Sequence, residues 1–142
     1  PVGADDVLVD VGCGEGRVIA GWLSRGLRNP MFGIEINPRA ATLAKSRLKR
    51  WTNVTILEGD ASETVPTTAT QFYLFNTLPT EPLSRLEQRV RGIPRARVLI
   101  YNFLESDISC FDSAFWQRDD FSDATHWKQY RAVLFTRLKT YT

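Results

Sequence analysis

The chain has 142 residues and a mass of 16.1 kDa, with 43% hydrophobic and 24% charged residues. This is the composition of a globular protein with one core, and it excludes disordered, collagen-like and disulfide-dense chains. Eighteen Lys and Arg against sixteen Asp and Glu leave a formal charge of +2, too little to argue for nucleic acid from charge alone.

A single His and two cysteines, Cys13 and Cys110, do not make a zinc site of the usual kind, so no metal is expected. No apolar run approaches the ~20 residues that cross a bilayer, so no membrane partner is expected either. The two cysteines could form one bridge, and a reduced cytoplasmic setting fits as well. One domain over 1–142 is expected, with elements missing ahead of Pro1 because the chain lacks an initiator Met.

In chain order, Val7–Val11 is a β-branched run stopped by glycine and reads as a buried strand. Val18, Ile19, Trp22 and Leu23 recur at helical spacing, Trp22 reads as core, and Gly26 is a C-terminal stop. Met31–Ile36 is the second strand. Asn37 as N-cap and Pro38 at the first helical position open the second helix. Val54–Leu57 is the third strand, followed by a loop, and Gln71–Asn76 is the fourth.

Thr80-Glu81-Pro82 starts a helix striped by Leu83, Leu86 and Val90, and Arg97–Phe103 is the fifth strand. A short helix is predicted over Ser109–Ala114. Phe115–Phe121 and Trp127–Leu138 read as an antiparallel terminal hairpin. The alternation predicts an α/β fold: a doubly wound, mostly parallel sheet with helices on both faces. Ligands of such sheets bind at the carboxyl ends of the strands.

The first of those ends reads Asp10-Val11-Gly12-Cys13-Gly14-Glu15-Gly16-Arg17. Glycines there permit a tight turn and a close ligand approach. A dinucleotide fingerprint would place its third small residue where Arg17 stands, and the Lys-Ser/Thr pair of a phosphate loop is absent. Asp10 and Glu15 would repel a pyrophosphate and attract a cation. S-adenosylmethionine, a sulfonium with an ammonium and no phosphate, suits that charge. Glu35 ends the second strand, where a carboxylate can accept both hydroxyls of a ribose. Asp60 ends the third, where it can accept an adenine amine proton. The plain alternatives are that Glu35 faces solvent and that Asp60 caps a turn with Gly59.

These residues resemble the motifs of the class I, Rossmann-like S-adenosylmethionine-dependent methyltransferases. Asp10-Val11-Gly12-Cys13-Gly14-Glu15-Gly16 looks like their D-x-G-x-G-x-G motif, Gly33-Ile34-Glu35-Ile36-Asn37 like their acidic second-strand motif, and Gly59-Asp60-Ala61 like their adenine-contacting one. The resemblance implies a seven-strand sheet of order 3-2-1-4-5-7-6 with an antiparallel last strand. It also implies methyl transfer from S-adenosylmethionine, leaving S-adenosylhomocysteine. Carried over residue by residue, it assigns the cofactor to Asp10, Gly12, Cys13, Gly14, Glu15, Gly16, Glu35, Ile36, Asp60, Ala61 and Asn76.

Asn76 is also the catalytic candidate, because the family's fourth strand ends beside the transferable methyl; the plain alternative is that it caps the next turn. Amine-directed nucleic-acid methyltransferases carry [DNS]-P-P-[YFW] there. Asn76 matches its first position, but Thr77 and Leu78 replace both prolines. The acceptor is therefore expected to be a protein lysine or another amine, in a protein or small molecule rather than a nucleic acid.

His126, alone in the proposed hairpin turn, reads as a solvated side chain rather than a base. Arg85, Arg89, Arg91, Arg95 and Arg97 read as solvated surface, and Cys13 as a small space-filling residue rather than a redox thiol. Two rivals stand beside a methyltransferase. A catalytically silent methyltransferase-like domain that senses the cofactor or supports a partner would bind without transferring. A nicotinamide-dependent oxidoreductase would prefer NADH to S-adenosylhomocysteine.

Overall fold

The computed structural model describes residues 1–76, 78–122 and 131–139. Its elements in chain order are β1 (Leu8–Val11), α1 (Arg17–Ser24), β2 (Met31–Glu35), α2 (Pro38–Leu48), β3 (Val54–Glu58), α3 (Ala61–Thr64), β4 (Gln71–Phe75), α4 (Thr80–Arg91), β5 (Arg97–Tyr101), a short 3-10 turn (Glu105–Ile108), β6 (Trp116–Ser122) and β7 (Arg131–Arg137). The seven strands form one sheet in the order β3-β2-β1-β4-β5-β7-β6. Pairings from β3 across to β5 are parallel, and β7 runs antiparallel to both β5 and β6. This is the expected order.

Alternation along each strand splits the core in two. Val9, Val11, Ile34, Phe72, Leu74, Val98, Ile100, Val133 and Phe135 pack on one face with Leu83, Leu86 and Val90 of α4. Leu8 and Met31 face the other way, against Ile19 and Leu23 of α1 and Ala44 and Leu48 of α2. Asn37 caps α2 as expected, its Oδ1 accepting the N–H groups of Arg39 and Ala40. The hairpin is clasped to α4 by a buried bond in which Trp116 Nε1–H donates to Glu87 Oε1 at 2.8 Å.

The α1 side is only half covered. Tyr73, Leu99, Tyr101 and Leu134 share that face of the sheet, and Trp22 closes one side of a cavity of about 680 Å³ above them. Trp22, expected in the core, is therefore half-buried and meets Tyr73 edge-on at 6.0 Å.

Three further differences have local causes. The loop after β3 contains a single helical turn, α3, opened by Asp60 as its N-cap. The short helix predicted over Ser109–Ala114 is displaced to Glu105–Ile108. Asp107 Oδ2 accepts the Leu104 N–H there at 3.0 Å, and Asp112 instead folds a turn by accepting the Ala114 N–H at 2.8 Å. The last strand is described from Arg131, and the expected stretch Trp127–Tyr130, like His126 and Thr77, lies outside the described residues.

Candidate active site

The parallel strands end on one rim, and the loops leaving β1, β2 and β3 carry the sequence-predicted residues together. The glycine loop turns at Gly12, Gly14 and Gly16 with φ of 75, 53 and 81°. These glycines do different work. A Cβ at Gly16 would lie 2.8 Å from Leu48 Cδ1, so this glycine lets α1 start against α2. Gly12 and Gly14 have nothing within 4 Å of a built Cβ, so their backbone faces open space in which a ligand can reach the main chain. Gly33 is the packing counterpart in β2, where a Cβ would meet Cys13 Sγ and Ile56 Cδ1 at 2.8 Å and Ile19 Cδ1 at 2.9 Å.

Glu35 is held by the loop it faces. Its Oε2 accepts the Gly14 N–H at 2.8 Å and its Oε1 accepts the Asn37 N–H at 2.8 Å. An ionised carboxylate offers about four acceptor positions, so two remain for the hydroxyls of a ribose. Glu35 thus does not simply face solvent. Ile36, next to it, is an apolar side chain left 69% exposed at the rim.

Asp10 lies beneath the loop and is 2% exposed. Its Oδ2 is buried without a hydrogen-bond partner. Burial, and then the neighbouring charge of Glu35, push its carboxyl up to about 7. An orphaned buried carboxylate oxygen is costly, and a cationic ligand would satisfy it. Together with the open cradle over Gly12 and Gly14, this fits the cationic methionine end of S-adenosylmethionine. Glu15, expected to share that duty, is instead paired with Arg47 of α2 at 3.2 Å, both side chains partly exposed.

Asp60 combines two arrangements. Its Oδ1 accepts the N–H and the hydroxyl of Ser62 at 2.8 and 2.7 Å, and its Oδ2 pairs with Arg85 at 3.3 Å. The Ser62 hydroxyl and amide, then Arg85, hold its carboxyl below the ordinary value against a small burial penalty. It is a cap, and its Oδ2 is already engaged by Arg85. Ala61, 8% exposed, follows it at the start of α3.

Cys13 is buried, and burial followed by the charges of Asp10 and Glu35 pushes its thiol up to about 12. It fills space, as expected. Asn76 sits exposed on the far half of the rim after β4, with φ of 64°.

Sequence reasoning missed Asn102, which follows β5 with φ of 61° and donates its side-chain N–H to Asn76 Oδ1 at 2.5 Å. A signal was present, since β4 and β5 both end in an aromatic residue followed by asparagine (Phe75-Asn76, Tyr101-Asn102). Of the five arginines on and beyond α4, Arg85 meets Asp60 and Glu81, Arg91 meets Glu87, and Arg91, Arg95 and Arg97 border a groove at the opposite pole of the sheet.

Sheet order and rim together define a Rossmann-like methyltransferase fold. Residues 8–97 match the family described as Methyltransferase domain. A curated relative, a probable cobalt-precorrin-6B C(15)-methyltransferase (decarboxylating) of Methanothermobacter thermautotrophicus, is 42% identical over 64 residues, 43% of this chain and 32% of that protein. The match thus spans about a third of that relative's length. An RNA methyltransferase from Salinibacter ruber, solved with S-adenosyl-L-homocysteine, superposes with a TM-score of 0.69 over 96% of this chain and 84% of its own, at 22% identity. The geranyl diphosphate C-methyltransferase of Streptomyces coelicolor A3(2) reaches a TM-score of 0.76 over 96% of this chain and 75% of its own, at 12% identity. At such identities the solved structures share the fold.

The chain belongs to the family described as Methyltransferase domain. No described helix is long and apolar enough to cross a membrane. The described residues contain no group of three or more His, Cys, Asp or Glu that could hold a metal ion.

Proposed function

We propose that this chain transfers the methyl group of S-adenosylmethionine to a nitrogen nucleophile, and that its rim divides into a cofactor half and an acceptor half. When bound, S-adenosylmethionine supplies a sulfonium-activated methyl and departs as a neutral thioether. The protein's share is to bind, align and exclude water. Gly12 and Gly14 give the main chain its close approach, Gly16 lets α1 start beside them, and Asp10 receives the cationic methionine end. Cys13 and Glu15 border that end without contributing charge of their own, the first as a neutral thiol and the second through its pair with Arg47. Glu35 holds the ribose. Ile36 and Ala61 flank the adenine, and Asp60 accepts from its amine by sharing Oδ2 with Arg85.

Asn76 borders the cofactor on the acceptor side. The second lone pair of its carbonyl oxygen accepts an N–H of the nucleophile, which turns the nitrogen lone pair toward the methyl. Uncharged nitrogen nucleophiles as a class fit this arrangement, a deprotonated lysine amine being one member. The names of the relatives mention precorrin, RNA and geranyl diphosphate, and none mentions lysine. The two thiols, one buried and one half-buried, suit a reducing cytoplasm.

The observation that carries the reading is the unpartnered buried Asp10 Oδ2 beside an open glycine cradle. The test is calorimetric titration with S-adenosylhomocysteine and with NADH, followed by incubation with S-adenosylmethionine labelled in its methyl group and a cell extract. Binding of the first and transfer of label are expected. Tighter binding of NADH would overturn the cofactor assignment. Binding without any transfer would convert the enzyme into a cofactor-binding domain.

A further inference from the structure

The ends of β4 and β5 carry a matched pair of residues. Phe75 and Tyr101 are register partners, and their rings stack 5.7 Å apart. The next residue on each strand is a left-handed asparagine, Asn76 at φ 64° and Asn102 at φ 61°. Among the described residues only three non-glycine residues have positive φ, and the third, Arg95, lies before β5 at the opposite end of the sheet. Two of the three therefore stand side by side on the functional rim.

Each keeps its main chain in the ladder, Asn76 N–H donating to Tyr101 O at 2.9 Å and Asn102 N–H to Arg131 O at 2.8 Å. Glycine would make this turn with less strain but would bring no side chain. The side chains meet in the 2.5 Å bond from Asn102 Nδ2 to Asn76 Oδ1, and both residues are exposed. Strained, exposed and mutually bonded polar residues on a ligand rim point to recognition rather than packing.

We propose that Asn102 is a positioning residue for Asn76, and that the paired amides select an acceptor presenting a hydrogen-bond donor beside a hydrogen-bond acceptor. When two primary amides share one hydrogen bond, each is still able to serve an incoming group. Whichever amide donates, one unpaired carbonyl oxygen and one unpaired NH2 remain. An amide, a lactam or the N–C–N edge of a planar heterocycle satisfies both. An ammonium has donors only and a carboxylate or phosphate has acceptors only, so each leaves one amide function unmatched. The ring of Phe75, 50% exposed one residue below, supplies an apolar flank for a flat group. This inference rests on the cofactor half being the S-adenosylmethionine site, which places β4 and β5 on the acceptor side.

The test uses three probes that share a ring and differ in the polar group: benzamide, benzylamine and benzoate. Each is titrated into protein saturated with S-adenosylhomocysteine, and the side-chain amide signals of Asn76 and Asn102 are followed by nitrogen-resolved NMR. Benzamide is expected to shift both signals and to bind at least fivefold more tightly than either charged probe. In Asn102→Gly, which keeps the left-handed backbone, that preference should fall at least fivefold while S-adenosylhomocysteine affinity stays within twofold. Benzamide binding no tighter than benzylamine or benzoate, no benzamide binding at all, or an unchanged preference in Asn102→Gly would each overturn the proposal. Failure of S-adenosylhomocysteine to bind the wild type would instead strike the cofactor reading.

Discussion

The two halves of the strand-end rim are built from different chemistry. Over β1, β2 and β3 the polar groups are carboxylates: Asp10 buried, Glu35 bonded to the loop amides, Asp60 capping α3. Over β4 and β5 they are neutral amides, set beside stacked aromatic rings. Under the proposed function, the difference matches what each half would hold. A cationic donor is drawn to negative charge. A nitrogen nucleophile must keep its lone pair free, and a carboxylate beside it would favour the protonated form, which has none. A neutral amide orients the nitrogen without that penalty.

The sharpest way to break this division is to remove Glu35, the carboxylate proposed to hold the ribose. Glu35→Ala should weaken S-adenosylhomocysteine binding by ~1.5–3 kcal/mol, the scale of hydrogen bonds to a charged group. The same change frees the Gly14 and Asn37 N–H groups that Glu35 now engages. An unchanged dissociation constant in calorimetry would remove Glu35 from the site.

Gly33→Ala asks whether the cofactor half depends on the core beneath it. The new methyl meets Cys13, Ile56 and Ile19 inside 3.0 Å. A cost of about 1–3 kcal/mol in urea unfolding is expected from overpacking. Unaltered stability would mean that the loop and β2 have slack.

Asp10 sharpens the comparison through pH. Its carboxyl titrates near 7 in the folded protein, above its ordinary value of 3.8. In the free protein the stability associated with this group is therefore full below about pH 4 and is lost as pH rises through about 7. Binding a cation favours the ionised form. Affinity for S-adenosylhomocysteine should thus climb between about pH 5.5 and 7, by less than tenfold per unit, with release of a proton. The ligand's ammonium stays charged across that window, its reference pKa being about 7.7–8.0. Asp10→Asn should flatten both profiles; calorimetry in buffers of different ionisation enthalpy reads the proton directly.

The smallest effect belongs at the border between the halves. Arg85, partly exposed, pairs with Asp60 and Glu81. Arg85→Ala should change stability by no more than ~1 kcal/mol, as exposed ion pairs do. It should also tighten adenosine binding slightly by releasing Asp60 Oδ2. Weaker adenosine binding would mean that Arg85 itself supports the ligand.

Much of the rim over β1, β2 and β3 was legible because its physics is local. Glycines with positive φ, an Asn-Pro helix start and acids at strand ends announce themselves within a few residues. Asp60 was half legible: its position at a strand end was clear, but α3 is a four-residue helix, too short to show a period. Glu15 illustrates the opposite limit, since its partner Arg47 lies thirty-two residues away and only the packing of α2 on the loop brings them together. Asn102 depends on the register of β4 against β5, a long-range fact that the shared aromatic-asparagine ending hints at but does not prove. The half-covered sheet face behind Trp22 is likewise a matter of which helices lie where; an apolar stripe predicts burial without naming the cover.

The loop's cysteine gains meaning from its surroundings. A sulfur nucleophile beside a methyl donor is a hazard, because a thiolate there would take the methyl itself and silence the protein. The burial and negative charge that hold the Cys13 proton up to about 12 keep the sulfur in its unreactive form at ordinary pH. In the proposed complex, burial and the charge that would draw the methyl donor would thereby also guard the chain against self-alkylation.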